Sequence, residues 1–321
     1  MSDTTTPSRA ARAGGRIEAL DVARGLALLA MALYHFTWDL DNFGYVERGL
    51  ATTGGWKIFA RCIASSFLVL VGIGLVLAHS RGIRWRPFLL RLGQVAAGAL
   101  AITVVTYFAT PESYVFFGIL HHIALASLLG LAALRLPWFA TALLAALVVA
   151  LPFAVSTTWT EPAALAWIGF AAKIPVTNDF VPVFPWFGAV LAGMALAQLG
   201  LRTGAFDRLR AANPGFARAR PLAFLGRHSL VFYLLHQPLL FGLVMLATHF
   251  VPPDRAVILE SDCKRSLYFG EESPARCAPF AACTVSELDA VGLLDLAFAG
   301  NASPEEDEKI QSVVQMCQTR P

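Results

Sequence analysis

Seven apolar stretches, each approaching the width of a bilayer, constrain the fold of this chain more than any other feature. A membrane-spanning helix needs about 20 predominantly apolar residues, and polar or Gly/Pro-containing segments separate the stretches here. Of the 321 residues 56% are hydrophobic and 15% are charged, against about 25% charged in soluble domains. The sequence therefore predicts an all-α integral membrane protein with seven transmembrane helices, at residues 18–39, 56–79, 89–109, 115–135, 138–155, 184–200 and 225–251.

The charges are distributed unevenly along the chain. Residues 1–251 contain 19 Lys/Arg and 10 Asp/Glu, a net charge of +9, whereas residues 252–321 contain 6 and 12, a net charge of −6. The basic residues of the first part lie between apolar stretches, which indicates membrane topology rather than nucleic-acid binding. We therefore expect a disordered N-terminus at 1–15, a transmembrane domain at 16–251 and a polar tail at 252–321.

The arginine-rich connections predict the orientation in the membrane. They are the N-terminus, the loop at 80–91, the turn at Arg135 and the loop at 201–220, and they alternate to one side of a seven-helix arrangement. Cytoplasmic loops carry the excess of Lys and Arg. We therefore expect a multi-pass protein of the cell (inner) membrane, with a cytoplasmic N-terminus and a periplasmic or extracellular C-terminal tail.

The tail contains four of the five cysteines: Cys263, Cys277, Cys283 and Cys317. Four cysteines in a short polar segment favour two disulfides in an oxidising compartment, for which three pairings exist. Zinc is the alternative, but the sequence has no Cys-x-x-Cys pair and we expect no metal. The tail also predicts a small helical module, because apolar residues recur at helical spacing over 285–298 and Ser303-Pro304 is typical of a helix start.

The first apolar stretch ends in a histidine and an aspartate four residues apart, His35 and Asp39. This spacing puts both side chains on one face of a helix, and ionisable groups within a membrane are functional candidates by default. A neighbouring carboxylate raises the basicity of an imidazole and fixes its tautomer, as a general base requires. The alternative is a water-capped histidine at the helix end, with Asp39 as the first exterior polar residue.

Other ionisable residues are candidates for lining a cavity. His121 and His122 point about 100° apart on a helix, so at most one faces a given cavity, and adjacent histidines are a poor metal pair. His236, followed by Gln237-Pro238, predicts either an interrupted helix beside a cavity or a proline kink with a satisfied histidine. Asp179, in the outer connection, is either a loop acid or a group that holds a polar substrate.

Arg24 lies three residues after Asp21, near the expected cytoplasmic end of the first helix. One interpretation is an interfacial ion pair with a snorkelling arginine. The other is a cationic site for a phosphorylated cytoplasmic donor, formed together with Arg61, Arg91 and Arg227.

Several short segments carry a family resemblance through their order and spacing. They are Asp21-Val-Ala-Arg-Gly, His35-Phe-Thr-Trp-Asp, Phe59-Ala-Arg, Phe67-Leu-Val-Leu-Val-Gly-Ile-Gly, Gly118-Ile-Leu-His, Asp179-Phe-Val-Pro-Val-Phe-Pro-Trp-Phe-Gly, Leu225-Gly-Arg-His-Ser-Leu and Tyr233-Leu-Leu-His-Gln-Pro. Together they make the chain similar to the heparan-alpha-glucosaminide N-acetyltransferase catalytic-domain family, in its bacterial branch, over about residues 16–250. The cysteine-bearing tail lies outside the resemblance.

The resemblance implies that an acetyl group from cytosolic acetyl-CoA is transferred across the membrane to an amine or hydroxyl of an envelope sugar. The expected partners are membrane lipids and a saccharide or glycolipid acceptor, with a homodimer as a further option and no nucleic acid. In the lysosomal members the catalytic histidine lies near the position of Val46, so the role of His35 comes from its own chemistry. The expected roles are His35 and Asp39 in catalysis, Asp179 in acceptor binding, and Arg24, Arg61, His121, Arg227 and His236 in donor binding.

A transporter or flippase of a polar envelope precursor is the alternative function. The same ionisable residues would then line a path instead of performing chemistry. An inverted repeat of the spans would favour this alternative, and the sequence does not show one. A third hypothesis is a membrane scaffold that displays the disulfide-bearing tail.

Overall fold

The computed structural model of the chain describes residues 16–266 and 274–319. Within these ranges the regular structure is helical, with two isolated β-bridges that pair Phe117 with Phe180 and Thr157 with Ala171. The predicted all-α class is confirmed for this part of the chain. The segment at 1–15, predicted to be disordered, lies outside the described residues.

Long apolar helices occupy the predicted stretches. Among the described residues, five helices are long and apolar enough to cross a membrane. They are α1 (Glu18–Asn42), α2 (Gly54–His79), α3 (Trp85–Ala109), α7 (Val183–Arg202) and α10 (Ser229–Phe250). Two shorter apolar helices are α4 (Ile119–Ala133) and α5 (Trp138–Ala154). The helical content of all seven stretches is thus confirmed, while a count of seven membrane crossings stays a prediction.

Short helices occupy connections that the sequence patterns predict as loops. They are α6 (Ala163–Ala166), α8 (Ala205–Ala211) and α9 (Arg220–Arg227). The predicted basic loop at 201–220 is therefore largely helical. The last apolar helix begins at Ser229 rather than near 225, because His228 has φ −103° and ψ 27°, outside the helical region, and separates α9 from α10.

Contacts divide the chain into two compact units, whose boundaries fall within α1, α2 and α10. The first unit contains residues 1–31 and 61–235. In its core, α2 and α7 touch backbone to backbone, because a Cβ on Gly72 would overlap the carbonyl of Val190 and one on Gly193 would overlap that of Val69. Gly72 and Gly193 therefore permit close packing of these two helices.

The second unit contains residues 32–60 and 236–321, and so includes the tail. Two disulfides connect the tail helices: Cys263–Cys277 joins α11 (Arg255–Ser266) to α12 (Cys277–Ala290), and Cys283–Cys317 joins α12 to α14 (Pro304–Thr319). This is one of the three pairings that the sequence leaves open. The tail helices are α11 (Arg255–Ser266), α12 (Cys277–Ala290), α13 (Leu294–Ala299) and α14 (Pro304–Thr319).

The start of α14 confirms the predicted capping pattern. The hydroxyl of Ser303 accepts the backbone N–H of Glu306 at 3.4 Å, and the backbone N–H of Ser303 donates to the Glu306 carboxylate at 2.8 Å. This reciprocal capping box lowers the pKa of Glu306 through its hydrogen bonds to Ser303. The single helix predicted over 285–298 is divided instead, because Gly292 adopts φ 70° between α12 and α13.

Candidate functional site

Two glycines bring α1 and α9 into backbone contact within the first unit. A Cβ on either Gly25 or Gly226 would overlap a backbone carbonyl of the facing helix. Such an approach requires residues without a side chain. It places Arg24, which precedes Gly25, and Arg227, which follows Gly226, on the wall of one cavity.

That cavity has a volume of about 360 Å³ and two kinds of lining. Apolar side chains from α2, α3, α4 and α10 form much of its wall, and Tyr233 adds a phenol. Guanidinium groups supply fixed positive charge and forked hydrogen-bond donors that match phosphate geometry. The cavity therefore suits a ligand with anionic groups and an apolar arm. The arginines that line it are Arg16, Arg24, Arg84, Arg91 and Arg227.

Asp21 is the counter-charge within this arginine cluster. Its side chain is 3% exposed, and its carboxylate accepts hydrogen bonds from Arg16 and from Arg24, the latter at 3.1 Å. The predicted ion pair of Asp21 and Arg24 is therefore present, and its arginine lines the cavity, while the binding of a phosphorylated donor there stays a prediction. One carboxylate among the five lining guanidinium groups leaves the cavity cationic.

A histidine that the sequence patterns did not single out shapes the same cavity. His79, at the end of α2, is buried and lines the cavity, and its Nδ1 accepts the backbone N–H of Arg84 at 3.2 Å. Its ring packs edge to face on Phe88, with 5.6 Å between centroids. His79 therefore holds the turn that carries Arg84. The available signal was a histidine at the end of an apolar helix, directly before a basic loop.

A wider, open basin of about 1070 Å³ shares several lining residues with the cavity, among them Arg24 and Arg84. Arg81 and Arg210 add positive charge there, and Asp207 pairs with Arg210 at 2.7 Å. A ligand too large for the cavity can extend into this basin, where it meets further arginines.

Arg61 does not line the cavity, although the sequence predicts it as a donor-site residue. It is exposed and lies on α2 eighteen residues before His79, which corresponds to about 27 Å along a helix. An arginine side chain cannot bridge that distance. Arg61 therefore cannot contact the same ligand group as the arginines beside His79.

His121 forms part of the packing at the start of α4 instead of lining the cavity. Its Nδ1 accepts the backbone N–H of Gly118 at 3.2 Å, and its Nε2 lies 3.1 Å from the hydroxyl of Thr103. That hydroxyl donates to the carbonyl of Val115 at 2.7 Å, so it accepts the Nε2 proton of His121. Both ring nitrogens are thus engaged in a local network that closes the turn before α4.

Asp179 also contributes to the start of α4. Its Oδ2 accepts the backbone N–H of Ile119 at 2.8 Å, in the first turn of the helix. Burial raises the pKa of the Asp179 carboxyl above its usual value, and the hydrogen bond from Ile119 opposes that shift. A carboxylate at a helix N-terminus satisfies an otherwise unpaired N–H and complements the helix dipole. Acceptor binding by Asp179 stays an untested prediction.

In the second unit, α1 and α10 bring three pairs of side chains together in the same order along both helices. The helices therefore run parallel there. The helix α10 continues through Pro238, so of the two alternatives for this segment the interrupted helix is wrong. The pairs are His35 with His236 at 5.0 Å between ring centroids, Asp39 with Gln237 at 2.8 Å between Oδ1 and Nε2, and Phe43 with Phe241 at 4.9 Å between centroids.

The Asp39 carboxylate is turned toward α10 and not toward His35. Asp39 is fully buried, and its Oδ1 accepts a hydrogen bond from Gln237. Within the described residues, Asp39 Oδ2 and Gln237 Oε1 are buried without a hydrogen-bond donor. Buried acceptors of this kind require a donor. The pair therefore suits a ligand group with O–H or N–H donors, such as a hydroxyl or an amine.

The imidazoles of His35 and His236 lie beside this pair of a carboxylate and an amide. The sequence predicts His236 for the donor site, whereas the structure places it against His35 in the second unit. Two imidazoles beside a buried carboxylate can take up and release a proton. We call His35, Asp39, His236 and Gln237 the polar cluster.

The expectation that no metal binds stays a prediction for the described part of the chain. No group of three or more His, Cys, Asp or Glu side chains there is close enough to hold a metal ion.

Comparison with known proteins gives one family match. The family model described as "Heparan-alpha-glucosaminide N-acetyltransferase, catalytic" matches residues 16–238, well over half of the chain. The matched range includes the arginine-lined cavity and the polar cluster, and it ends before the disulfide-bearing tail. No curated protein and no solved structure matches the chain.

Proposed function

Since the chain belongs to the heparan-alpha-glucosaminide N-acetyltransferase catalytic family, we propose that it moves an acetyl group from acetyl-CoA to an amine or hydroxyl of an envelope sugar. Family membership and the apolar helices support a membrane acetyltransferase. The identity of the donor, the class of acceptor and the direction of transfer are our proposal.

The observation that carries the proposal is the cationic cavity with an apolar wall. Acetyl-CoA has phosphate groups at one end and a long, weakly polar arm that ends in the acetyl thioester. Arg24, Arg84, Arg91 and Arg227 would bind the phosphates. The apolar wall would bind the arm, and the adjoining basin offers room for the nucleotide.

The acceptor would bind at the polar cluster. Asp39 and Gln237 would accept hydrogen bonds from its hydroxyl or amine groups, because their free oxygen atoms are buried acceptors. His35, beside His236, would remove a proton from the attacking group.

The transfer step balances with these groups. The lone pair of the acceptor nitrogen or oxygen attacks the thioester carbonyl, a C–N or C–O bond forms, and the C–S bond breaks. The proton taken by His35 returns to the thiolate, so CoA leaves as a thiol. No metal enters this step.

The proposed orientation places the arginine-rich connections in the cytoplasm and the tail outside the inner membrane. The excess of arginine in alternating connections supports it. The two disulfides of the tail support it independently, since disulfides persist in oxidising compartments.

The test uses purified full-length protein with acetyl-CoA as donor and glucosamine as the acceptor probe. We expect the wild type to bind acetyl-CoA and to form N-acetylglucosamine, and we expect His35→Ala to bind acetyl-CoA normally without transfer. Absence of acetyl-CoA binding would overturn the proposal, and so would full activity of the variant. Donor-independent uptake of a sugar by proteoliposomes would instead support a transporter.

A further inference from the structure

We propose that the tail is a cap on the acceptor side of the protein, which fixes the end of α1 and controls access to the polar cluster. The inference rests on the proposed function for the meaning of the cluster. The cap itself rests on contacts within the second unit. The tail lies beyond the matched family range of 16–238, so the family match assigns it no role.

The end of α1 is shaped to receive α11. Gly44, two residues after the end of α1, adopts φ 81°, and a Cβ there would lie 2.6 Å from the Ile258 side chain. Ile258 is buried. Any residue other than glycine at position 44 would therefore collide with the side chain of Ile258 in the tail.

The connection between α1 and α2 makes three further polar contacts, one with the residue directly before the tail and two within the tail. The hydroxyl of Tyr45 donates to the carbonyl of Val251 at 2.6 Å. The last two contacts are ion pairs, Glu47 with Lys264 at 2.7 Å and Arg48 with Asp262 at 3.2 Å.

The Lys264 ammonium is held by two carboxylates. It contacts Glu260 on its own helix at 2.9 Å as well as Glu47. Hydrogen bonds to Glu260 and Glu47 raise the pKa of Lys264 above its usual value, so it stays charged at neutral pH. The contact with the α1–α2 connection is therefore available over the physiological pH range.

Hydrogen bonds within the α1–α2 connection link its contacts with the tail to the end of α1, close to the polar cluster. Asp41 is buried, and its carboxylate accepts the backbone N–H groups of Gly49 at 2.8 Å and Ala51 at 3.0 Å. Asp41 lies two residues after Asp39 on α1. Phe43, one turn after Asp39, packs on Phe241 of α10. The docked connection thus begins within about one turn of the carboxylate that would bind the acceptor.

The disulfides make the cap a preassembled body. Cys263–Cys277 links α11, which contacts the connection, to α12, and Cys283–Cys317 links α12 to α14. Arg276 also donates a hydrogen bond to the carbonyl of Gln318 at 3.2 Å, which joins the start of α12 to the end of α14. The helix α11, which contacts the α1–α2 connection, is therefore covalently fixed to the rest of the tail.

Accessibility of a cysteine at position 35 tests the cap without any need for acetyl transfer. The assay measures the labelling rate of His35→Cys by a membrane-impermeant maleimide, in a Cys62→Ala background, because Cys62 is a free and exposed thiol. Ile258→Asp should detach α11 and raise the labelling rate roughly tenfold or more, whereas Ile258→Leu should leave it unchanged. An unchanged rate in folded Ile258→Asp protein would overturn the cap.

Charge exchange covers the case in which Ile258→Asp does not fold. Asp262→Arg places two like charges together and should raise labelling, and the double exchange Arg48→Asp with Asp262→Arg should restore the original rate. Asp295→Arg is the matched control, since Asp295 pairs with Arg255 inside the tail. Equal effects of Asp262→Arg and Asp295→Arg would overturn the cap, as would failure of the double exchange to restore protection.

Kinetics with His35 intact then separate positioning from general stability. Asp262→Arg should raise the KM for glucosamine roughly tenfold, within the range that a small misplacement of a catalytic site produces, while the Kd for acetyl-CoA stays unchanged. A parallel loss of acetyl-CoA binding would assign the tail a general stabilising role and overturn the proposal. If the wild type transfers no acetyl group, the proposed function fails, while the labelling result still decides the cap.

Discussion

Replacing Gly226 with alanine tests whether the contact between α1 and α9 builds the donor cavity. A Cβ there would lie 2.8 Å from the carbonyl carbon of Asp21 and closer still to its oxygen, whereas ordinary contact begins at 3.4 Å. The carbonyl carbon alone requires a separation of 0.6 Å, from 2.8 to 3.4 Å, and the closer oxygen requires more. Overpacking of this kind costs about 1–3 kcal/mol, and the higher helix propensity of alanine offsets up to about 1 kcal/mol of it.

The separation should weaken donor binding, because Arg227 follows Gly226 directly. A hydrogen bond to a charged group contributes about 1.5–3 kcal/mol, and about 1.4 kcal/mol corresponds to a tenfold change in Kd. Loss of one such contact with acetyl-CoA therefore predicts a Kd about 10- to 100-fold higher. Isothermal titration calorimetry on purified protein measures this Kd, and thermal unfolding shows whether the variant is folded.

Gly93→Ala is the matched control. Gly93 lies inside α3, in the same unit, and nothing lies within 4 Å of a Cβ built on it. The control should bind acetyl-CoA like the wild type and be slightly more stable. A wild-type Kd for folded Gly226→Ala would refute the claim that this helix contact positions Arg227.

Substitutions at three positions test single residues of the proposed sites. Arg227→Ala should raise the Kd for acetyl-CoA roughly tenfold or more and Arg227→Lys by less, because lysine keeps the charge but not the fork; equal effects in calorimetry would contradict this. Asp39→Asn should lower the rate of acetyl transfer roughly tenfold or more and leave the Kd for acetyl-CoA unchanged. The fold should be kept, because an asparagine carbonyl can still accept the hydrogen bond from Gln237; a parallel change in the Kd for acetyl-CoA would contradict this. Asp179→Ala should destabilise the fold by about 1 kcal/mol through loss of the cap on Ile119, whereas Asp179→Asn should be neutral or stabilising at pH 7. Because burial raises the folded pKa of Asp179 above its unfolded value, the stability that its protonated form contributes is fully present below about pH 4 and is lost as the pH rises through the folded pKa. The gain in stability from Asp179→Asn should therefore shrink as the pH falls through the folded pKa and be smallest below about pH 4; thermal unfolding that shows a pH-independent difference would contradict this.

The long apolar helices were predictable from the sequence because hydropathy and length are local properties. Each of the seven apolar stretches contains a helix, and the cap at Ser303 was visible in a short polar pattern. The break at His228 was not visible, since a single non-helical residue between two helix-forming segments has no compositional signal.

The tail shows where local patterns were insufficient. The helix α11 follows a pair of prolines and has a mixed, mostly polar sequence, so its apolar pattern is weak. It is stabilised by contacts with a distant segment, such as Ile258 on Gly44. The pairing of the cysteines depends on the same long-range arrangement.

The composition of the candidate site was predicted better than its pairings. Arg24 and Arg227 do line one cavity, and His35 and Asp39 do lie together with His236 in one unit. The partner of Asp39 is Gln237, which is 198 residues away in the sequence. Helical spacing identifies shared faces within one helix, but it carries no information about which helix packs against that face.

Sided proteoliposomes test the central claim most directly. Acetyl-CoA is supplied on the outside only, and glucosamine is enclosed inside. We predict that N-acetylglucosamine forms inside vesicles that contain the wild type, and that His35→Ala vesicles bind acetyl-CoA without forming it. Product that appears only when donor and acceptor share one side would contradict transfer across the membrane, and undiminished product with His35→Ala would contradict the assigned role of the polar cluster.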